Sequence, residues 1–123
     1  MDKAQGLNFF WNSFGVPAFD ENTVPQTAPM PRITYSVATD SLDNVVYLSA
    51  SIWYKDDSWQ EITQKVEEIE KTLGEHGGVV LPLNQGLMYI YKGSPFSQRM
   101  SDPDDNSIRR IYMNIRVEFL TAY

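Results

Sequence analysis

From Ile108 to Leu120 the chain alternates side chains in strict strand fashion. Arg109, Ile111, Met113, Ile115, Val117 and Phe119 share one face, while Ile108, Arg110, Tyr112, Asn114, Arg116, Glu118 and Leu120 share the other. Successive side chains of a strand point to opposite sides, so one face of this segment is built for burial and the other is polar. That pattern belongs to an antiparallel or mixed sheet with one buried face. It demands paired neighbours and a covering layer of helix or sheet.

The remaining sequence supplies both. Leu7, Phe10, Trp11 and Phe14 recur at helical spacing, which predicts an amphipathic helix over residues 3–14, stopped by Gly15 and Pro17. Four prolines in residues 16–32 exclude a helix and favour an extended connector, with Asp20-Glu21-Asn22 as a surface turn. Residues 33–39 and 45–54 alternate as two strands joined by a short Asp40–Asn44 turn, the default arrangement for a hairpin. In the second of these, Val46, Leu48, Ala50 and Ile52 oppose Val45, Tyr47, Ser49, Ser51 and Trp53.

The clearest helix is predicted over residues 58–74. Trp59, Ile62, Val66, Ile69 and Leu73 form its apolar stripe, and Ser58 with Glu61 forms a capping box. Val79–Leu83, interrupted by Pro82, reads as an edge strand. After the Asn84-Gln85-Gly86 turn, residues 87–92 form a further strand with Leu87, Tyr89 and Tyr91 opposite Met88 and Ile90. Residues 93–107 read as one long polar loop before the closing strand. The expected fold is a single α+β domain spanning residues 1–123: one mixed or antiparallel sheet of about four to five strands, with the long helix and the N-terminal helix packed on it.

Composition narrows the function. With 42% hydrophobic and 13% aromatic residues the chain can form a real core. No apolar run approaches the roughly 18 residues of a membrane span, and the N-terminus has no secretory pattern. The absence of cysteine removes disulfides, thiol nucleophiles and thiolate metal sites. Ten basic residues against sixteen acidic ones give a net charge of −6, which argues against sequence-specific nucleic-acid binding. The only adjacent basic pair, Arg109-Arg110, is split across two strand faces.

Catalytic patterns are not found. The lone His76 follows a helix C-terminus in Gly-Glu-His-Gly-Gly and reads as a solvated loop residue. Asp102 to Ser107 is rich in oxygen ligands, but it lacks the glycine and closing glutamate of a calcium loop. The carboxylate pairs Asp40/Asp43 and Asp56/Asp57 stand at element ends, where turn and helix-dipole chemistry suffices. No phosphate-binding glycine loop is present. The reading therefore assigns no catalytic residue, no cofactor and no metal. Tyr35, Tyr47, Trp53, Tyr54, Tyr89, Tyr91 and Tyr112 all fall on predicted strands, more than a core needs, which predicts an exposed aromatic sheet face suited to protein contacts.

Several segments carry a family resemblance: Phe10-Trp11-Asn-Ser-Phe14-Gly-Val-Pro17, Pro31-Arg-Ile-Thr-Tyr35, Leu48-Ser-Ala-Ser-Ile-Trp53-Tyr54, Pro95-Phe-Ser-Gln-Arg-Met-Ser-Asp-Pro103 and Arg109-Arg110-Ile-Tyr112. Together they resemble the tail terminators, or tail-completion proteins, of long non-contractile-tailed phages and prophages of Gram-positive bacteria. The resemblance implies a virion protein of the head–tail junction, assembled in the host cytoplasm. It implies a homo-oligomer, monomeric in solution and hexameric on the end of the tail tube. Its partners would be the major tail tube protein and the head–tail connector, with DNA passing through the lumen without specific binding. A related connector or head-completion component is the nearest alternative. A small enzyme or ligand-binding module using the Tyr-rich sheet face is the alternative of another class. For assembly, the expected contact residues are Phe10, Trp11, Arg99, Asp102, Asp104, Asp105, Arg109 and Arg110. The arginines are expected to pair with these aspartates, between or within chains. The 93–107 loop and the 16–32 connector are expected to reach neighbours, and residues 98–106 to be dispensable for folding.

Overall fold

The computed structural model describes residues 1–40, 44–102 and 104–123. Its order is α1 (Lys3–Asn12), β1 (Ala18–Asp20), β2 (Arg32–Tyr35), β3 (Val45–Lys55), α2 (Gln60–Gly74), a short 3-10 turn (Glu75–Gly77), β4 (Val79–Leu83), β5 (Gly86–Met100) and β6 (Ile108–Thr121). The strands form one six-stranded sheet in the order β1-β2-β3-β6-β5-β4. All pairings are antiparallel except β1 with β2. The fold is thus α+β with a mixed sheet, and it holds six strands where the sequence reading counted about four to five.

The alternating C-terminal segment is the spine of this sheet. β6 pairs with β3 from Ile108↔Lys55 to Glu118↔Val45 on one side and with β5 on the other. Ile111, Met113, Ile115, Val117 and Phe119 are buried, as the alternation predicts. Their cross-strand neighbours Ile52, Ala50, Leu48, Met88 and Ile90 face the same way and are buried too. Both helices cover this face. α2 contributes Ile62, Val66, Ile69 and Leu73, and α1 contributes Leu7, Phe10 and Trp11. Each such side chain removed from water contributes about 1.5–3 kcal/mol.

Four local expectations are corrected. First, residues 93–100 are not loop. β5 continues to Met100, because four residues, Gly93 to Phe96, bulge opposite the single residue Asn114 before pairing resumes at Ser97↔Met113. A bulge accommodates the breakers Gly93 and Pro95 without ending the strand. Phe96 turns into the core, and a Cβ on Gly93 would lie 2.9 Å from Asn114 atoms. Residues 98–100 form part of the ladder, so deleting residues 98–106 would remove strand pairing and not loop alone. Second, the proline-rich connector contains β1, a three-residue strand too short to show periodicity. Third, α2 begins at Gln60 with no side-chain cap bond, so the Ser58–Glu61 capping box does not form. The Ser58 hydroxyl instead accepts the Gln60 N–H at 3.1 Å. Fourth, the capping box is at α1, where Asp2 accepts the Gln5 N–H at 2.8 Å and the Gln5 side chain accepts the Asp2 N–H at 2.9 Å.

The hairpin of β2 and β3 and the edge position of β4 agree with the sequence reading. Within the Asp40–Asn44 turn, Ser41, Leu42 and Asp43 lie outside the described residues, as does Pro103 in the acidic loop. No helix among the described residues is long and apolar enough to cross a membrane.

Candidate interaction face

Neither helix covers the second face of the sheet. Register places Val45, Tyr47, Ser49, Ser51, Trp53 and Lys55 of β3 on it, beside Ile108, Arg110, Tyr112, Asn114, Arg116, Glu118 and Leu120 of β6. β2 adds Arg32 and Thr34, β5 adds Leu87, Tyr89 and Tyr91, and β4 adds Val80. Among the described residues eight large hydrophobic side chains are exposed, and five of them belong here: Val45, Tyr47, Val80, Leu87 and Leu120. Tyr47 leads them at 75% exposure. Isolated exposed apolar residues need no explanation, but a cluster on one face marks a contact surface.

The other half of this face is cationic and aromatic. The Arg110 guanidinium lies 4.5 Å from the Trp53 ring and Arg32 lies 6.0 Å from it, while Trp53 donates its indole N–H to Thr34 at 3.1 Å. Arg110 also donates to the Ser51 hydroxyl at 3.0 Å, which satisfies that buried side chain. Arg116 stacks on Tyr91 at 4.5 Å and donates to the Lys92 carbonyl at 3.0 Å. Burial raises the Tyr91 phenol above its ordinary range, and its donated bond to Glu118 at 3.0 Å adds to this. Ring contacts and hydrogen bonds hold these cations in place, which lowers the ordering cost of a later contact.

The sequence-predicted contact residues do not converge. Phe10 and Trp11 are 2% and 1% exposed, packed edge-to-face at 4.9 Å in the core; they are not available to a partner. Their exposed neighbour is Phe9. Arg99 and Arg109 lie on the helix side and stack on Trp59 at 4.7 and 5.3 Å. Arg109 donates to the Asp57 carbonyl at 2.8 Å and to the Asn106 carbonyl. Only Arg110 reaches the open face.

None of the expected arginine–aspartate ion pairs forms among the described residues. The three ion pairs there are Lys65–Glu68, Lys71–Glu75 and Lys92–Glu70. The aspartates serve their own loop instead. Asp102 accepts the N–H groups of Asp104 and Asp105 at 2.9 and 3.3 Å. Asp105 accepts the Ser107 N–H at 2.9 Å and its hydroxyl at 2.6 Å, and these bonds hold its carboxyl below the ordinary carboxylate range. Asp104 is exposed. All five arginines of the chain thus stack on aromatic rings.

Arg32 and Arg116 were not singled out by the sequence reading, nor were Val45, Val80, Leu87 and Leu120. Alternation alone placed Val45, Leu87, Arg116 and Leu120 on defined strand faces. Which faces stay uncovered depends on where the helices dock. His76 is exposed in a left-handed conformation at φ 56, leading into Gly77 and Gly78. Neither His76 nor Asp102, Asp104 or Asp105 lines any of the four best-formed surface hollows among the described residues. Comparison with protein-family models, with curated proteins and with solved structures finds no match to this chain.

Proposed function

We propose that the chain is a structural assembly protein, a phage tail terminator that forms a ring on the head-proximal end of the tail tube and meets the head–tail connector. The observation that carries this reading is the uncovered sheet face. It extends across five strands, from the exposed cross-strand pair Leu87–Leu120 past exposed Tyr47 to the Trp53–Arg110 stack. Aromatic residues and arginine are enriched at the cores of protein interfaces. A rigid sheet presents them at little entropic cost. The family resemblance of the sequence supplies the specific setting: a hexameric ring in the virion, with the tube protein on one side, the connector on the other, and DNA crossing the lumen unbound.

The test is electron microscopy of particles made without this protein. Overlong tails that lack heads are the expected result. Filled heads that have lost their contents, with tails of normal length, would assign the chain to the head side of the junction instead. Complementation with a Tyr47→Asp, Leu87→Asp chain should fail although that chain folds, because both side chains lie on the open face.

A further inference from the structure

The open sheet face and the exposed side of α2 carry opposite charge, although the helical layer as a whole also holds Lys3, Lys92, Arg99 and Arg109. Among the described residues the open sheet face holds Arg32, Lys55, Arg110 and Arg116 against one carboxylate, Glu118. The exposed side of α2 and the turn that follows hold Glu61, Glu67, Glu68, Glu70 and Glu75 against Lys65 and Lys71. Glu61 and Glu68 are spaced by seven residues, which puts them on one side of α2, while Glu75 follows the helix end in extended backbone. Glu61 and Glu67 have no ion-pair partner among the described residues.

The positions also correspond. Glu61 and Glu68 line a hollow with Lys65, which pairs with Glu68 at 2.8 Å, and with Tyr54 of β3, whose neighbour Trp53 carries the Arg110 stack on the other face of the sheet. At the other end, α1 places Lys3 over Phe119, next to Leu120 of the apolar cluster. The outer side of that helix carries exposed Phe9 in a shallow hollow with Met1, Ala4 and Asn8. Stacking one copy behind another would therefore bring cations onto carboxylates at one end and apolar onto apolar at the other.

We infer that the proposed ring is built head to tail, with the open sheet face of one copy seated on the helical layer of the next. Arg32 and Arg110 meet the Glu61–Glu68 stripe of α2, and the Tyr47–Leu87–Leu120 cluster meets Phe9 of α1. The inference rests on the ring reading above and names its subunit contact. Contacts of this kind join two different surfaces, so a closing rotation makes a ring and a non-closing one makes a filament. Complementary charge also selects this contact over a face-to-face dimer, which would set arginine against arginine.

The chain has no cysteine, so engineered pairs report contacts without background. Tyr47→Cys chains and Phe9→Cys chains are mixed at high concentration and oxidised. The heterodimer should exceed either homodimer, and Arg110→Glu on both should lower it about tenfold, the equivalent of about 1.4 kcal/mol. Adding Glu61→Arg to the Arg110→Glu chains should restore it. Dominant Tyr47–Tyr47 homodimers, heterodimer no more abundant than with a Cys placed at exposed His76, or no rescue by Glu61→Arg would each overturn the contact. So would binding of a DNA oligonucleotide by the wild-type face that Arg110→Glu abolishes. Tails of normal length joined to intact, filled heads in particles lacking the protein would instead overturn the assembly role itself.

Discussion

Two tryptophans, one on each side of the sheet, are each stacked by two arginines, yet they do different work. Trp59 is held by Arg99 and Arg109 at the start of α2, and Arg109 is tied further to the carbonyls of Asp57 and Asn106. This stack joins the β5–β6 hairpin to the start of the helix, with Trp59 half-buried and Arg99 exposed at its edge. Trp53 is held by Arg110 and Arg32 on the open face, where no helix covers it. The chemistry is the same and the surroundings differ. One stack fastens a helix; the other is a pre-ordered surface. The same contrast runs through the sheet as a whole, with one face covered by both helices and the other covered by neither.

The covered face should yield the largest effects. Trp11→Ala is expected to cost about 3–5 kcal/mol in denaturant unfolding, whereas Tyr47→Ala on the open face should stay within about 0.5 kcal/mol. A Tyr47→Ala loss comparable with that of Trp11→Ala would mean that the open face is structural after all. Gly93→Ala comes next. A Cβ there meets the backbone and side chain of Asn114 at 2.9 Å, so the bulge must shift, at a cost of about 1–3 kcal/mol by thermal unfolding.

The two stacks themselves give a sharper comparison. Trp59→Ala should cost about 1–2 kcal/mol through its two cation–π contacts and leave self-association unchanged. Trp53→Ala should weaken self-association, because Arg110 and Arg32 lose the ring that orders them, and this can be read by sedimentation. Equal effects of the two on association would erase the distinction between fastener and surface.

The smallest effect concerns the acidic loop. The carboxyl of Asp105 is held below its ordinary value by Ser107, so its contribution to stability is present above that ordinary value and is lost as pH falls through the lowered one. Ser107→Ala should raise the Asp105 pKa in an NMR titration and flatten the acid limb of the stability profile. An unchanged titration would show that the loop is not held by that bond.

Much of the fold was legible because its period was. The alternation of Ile111 to Phe119 and the helical spacing of Ile62, Val66, Ile69 and Leu73 each named a buried face correctly. The 93–100 segment was misread because Gly93, Ser94 and Pro95 are turn-formers by local chemistry, and only pairing with β6 absorbs them as a bulge. β1 was missed because three residues cannot display a period, and it forms by pairing alongside β2. The arginine–aspartate pairs were expected from proximity in sequence, but turn geometry claimed Asp102 and Asp105 first, and aromatic rings claimed the arginines.

By itself, then, the sequence determined which side chains share a strand face or a helix stripe, because those periods are properties of the backbone. Tertiary structure alone decided which of those faces remains open. Both helices dock on the side of Ile52, Ile111 and Met113, and a sheet with helices on one side necessarily leaves its other side to solvent or to a partner. The strand that organises the chain therefore has two readings. Its apolar side is fixed by alternation, while the role of its polar side, Arg110, Tyr112 and Arg116, came from where other segments were placed.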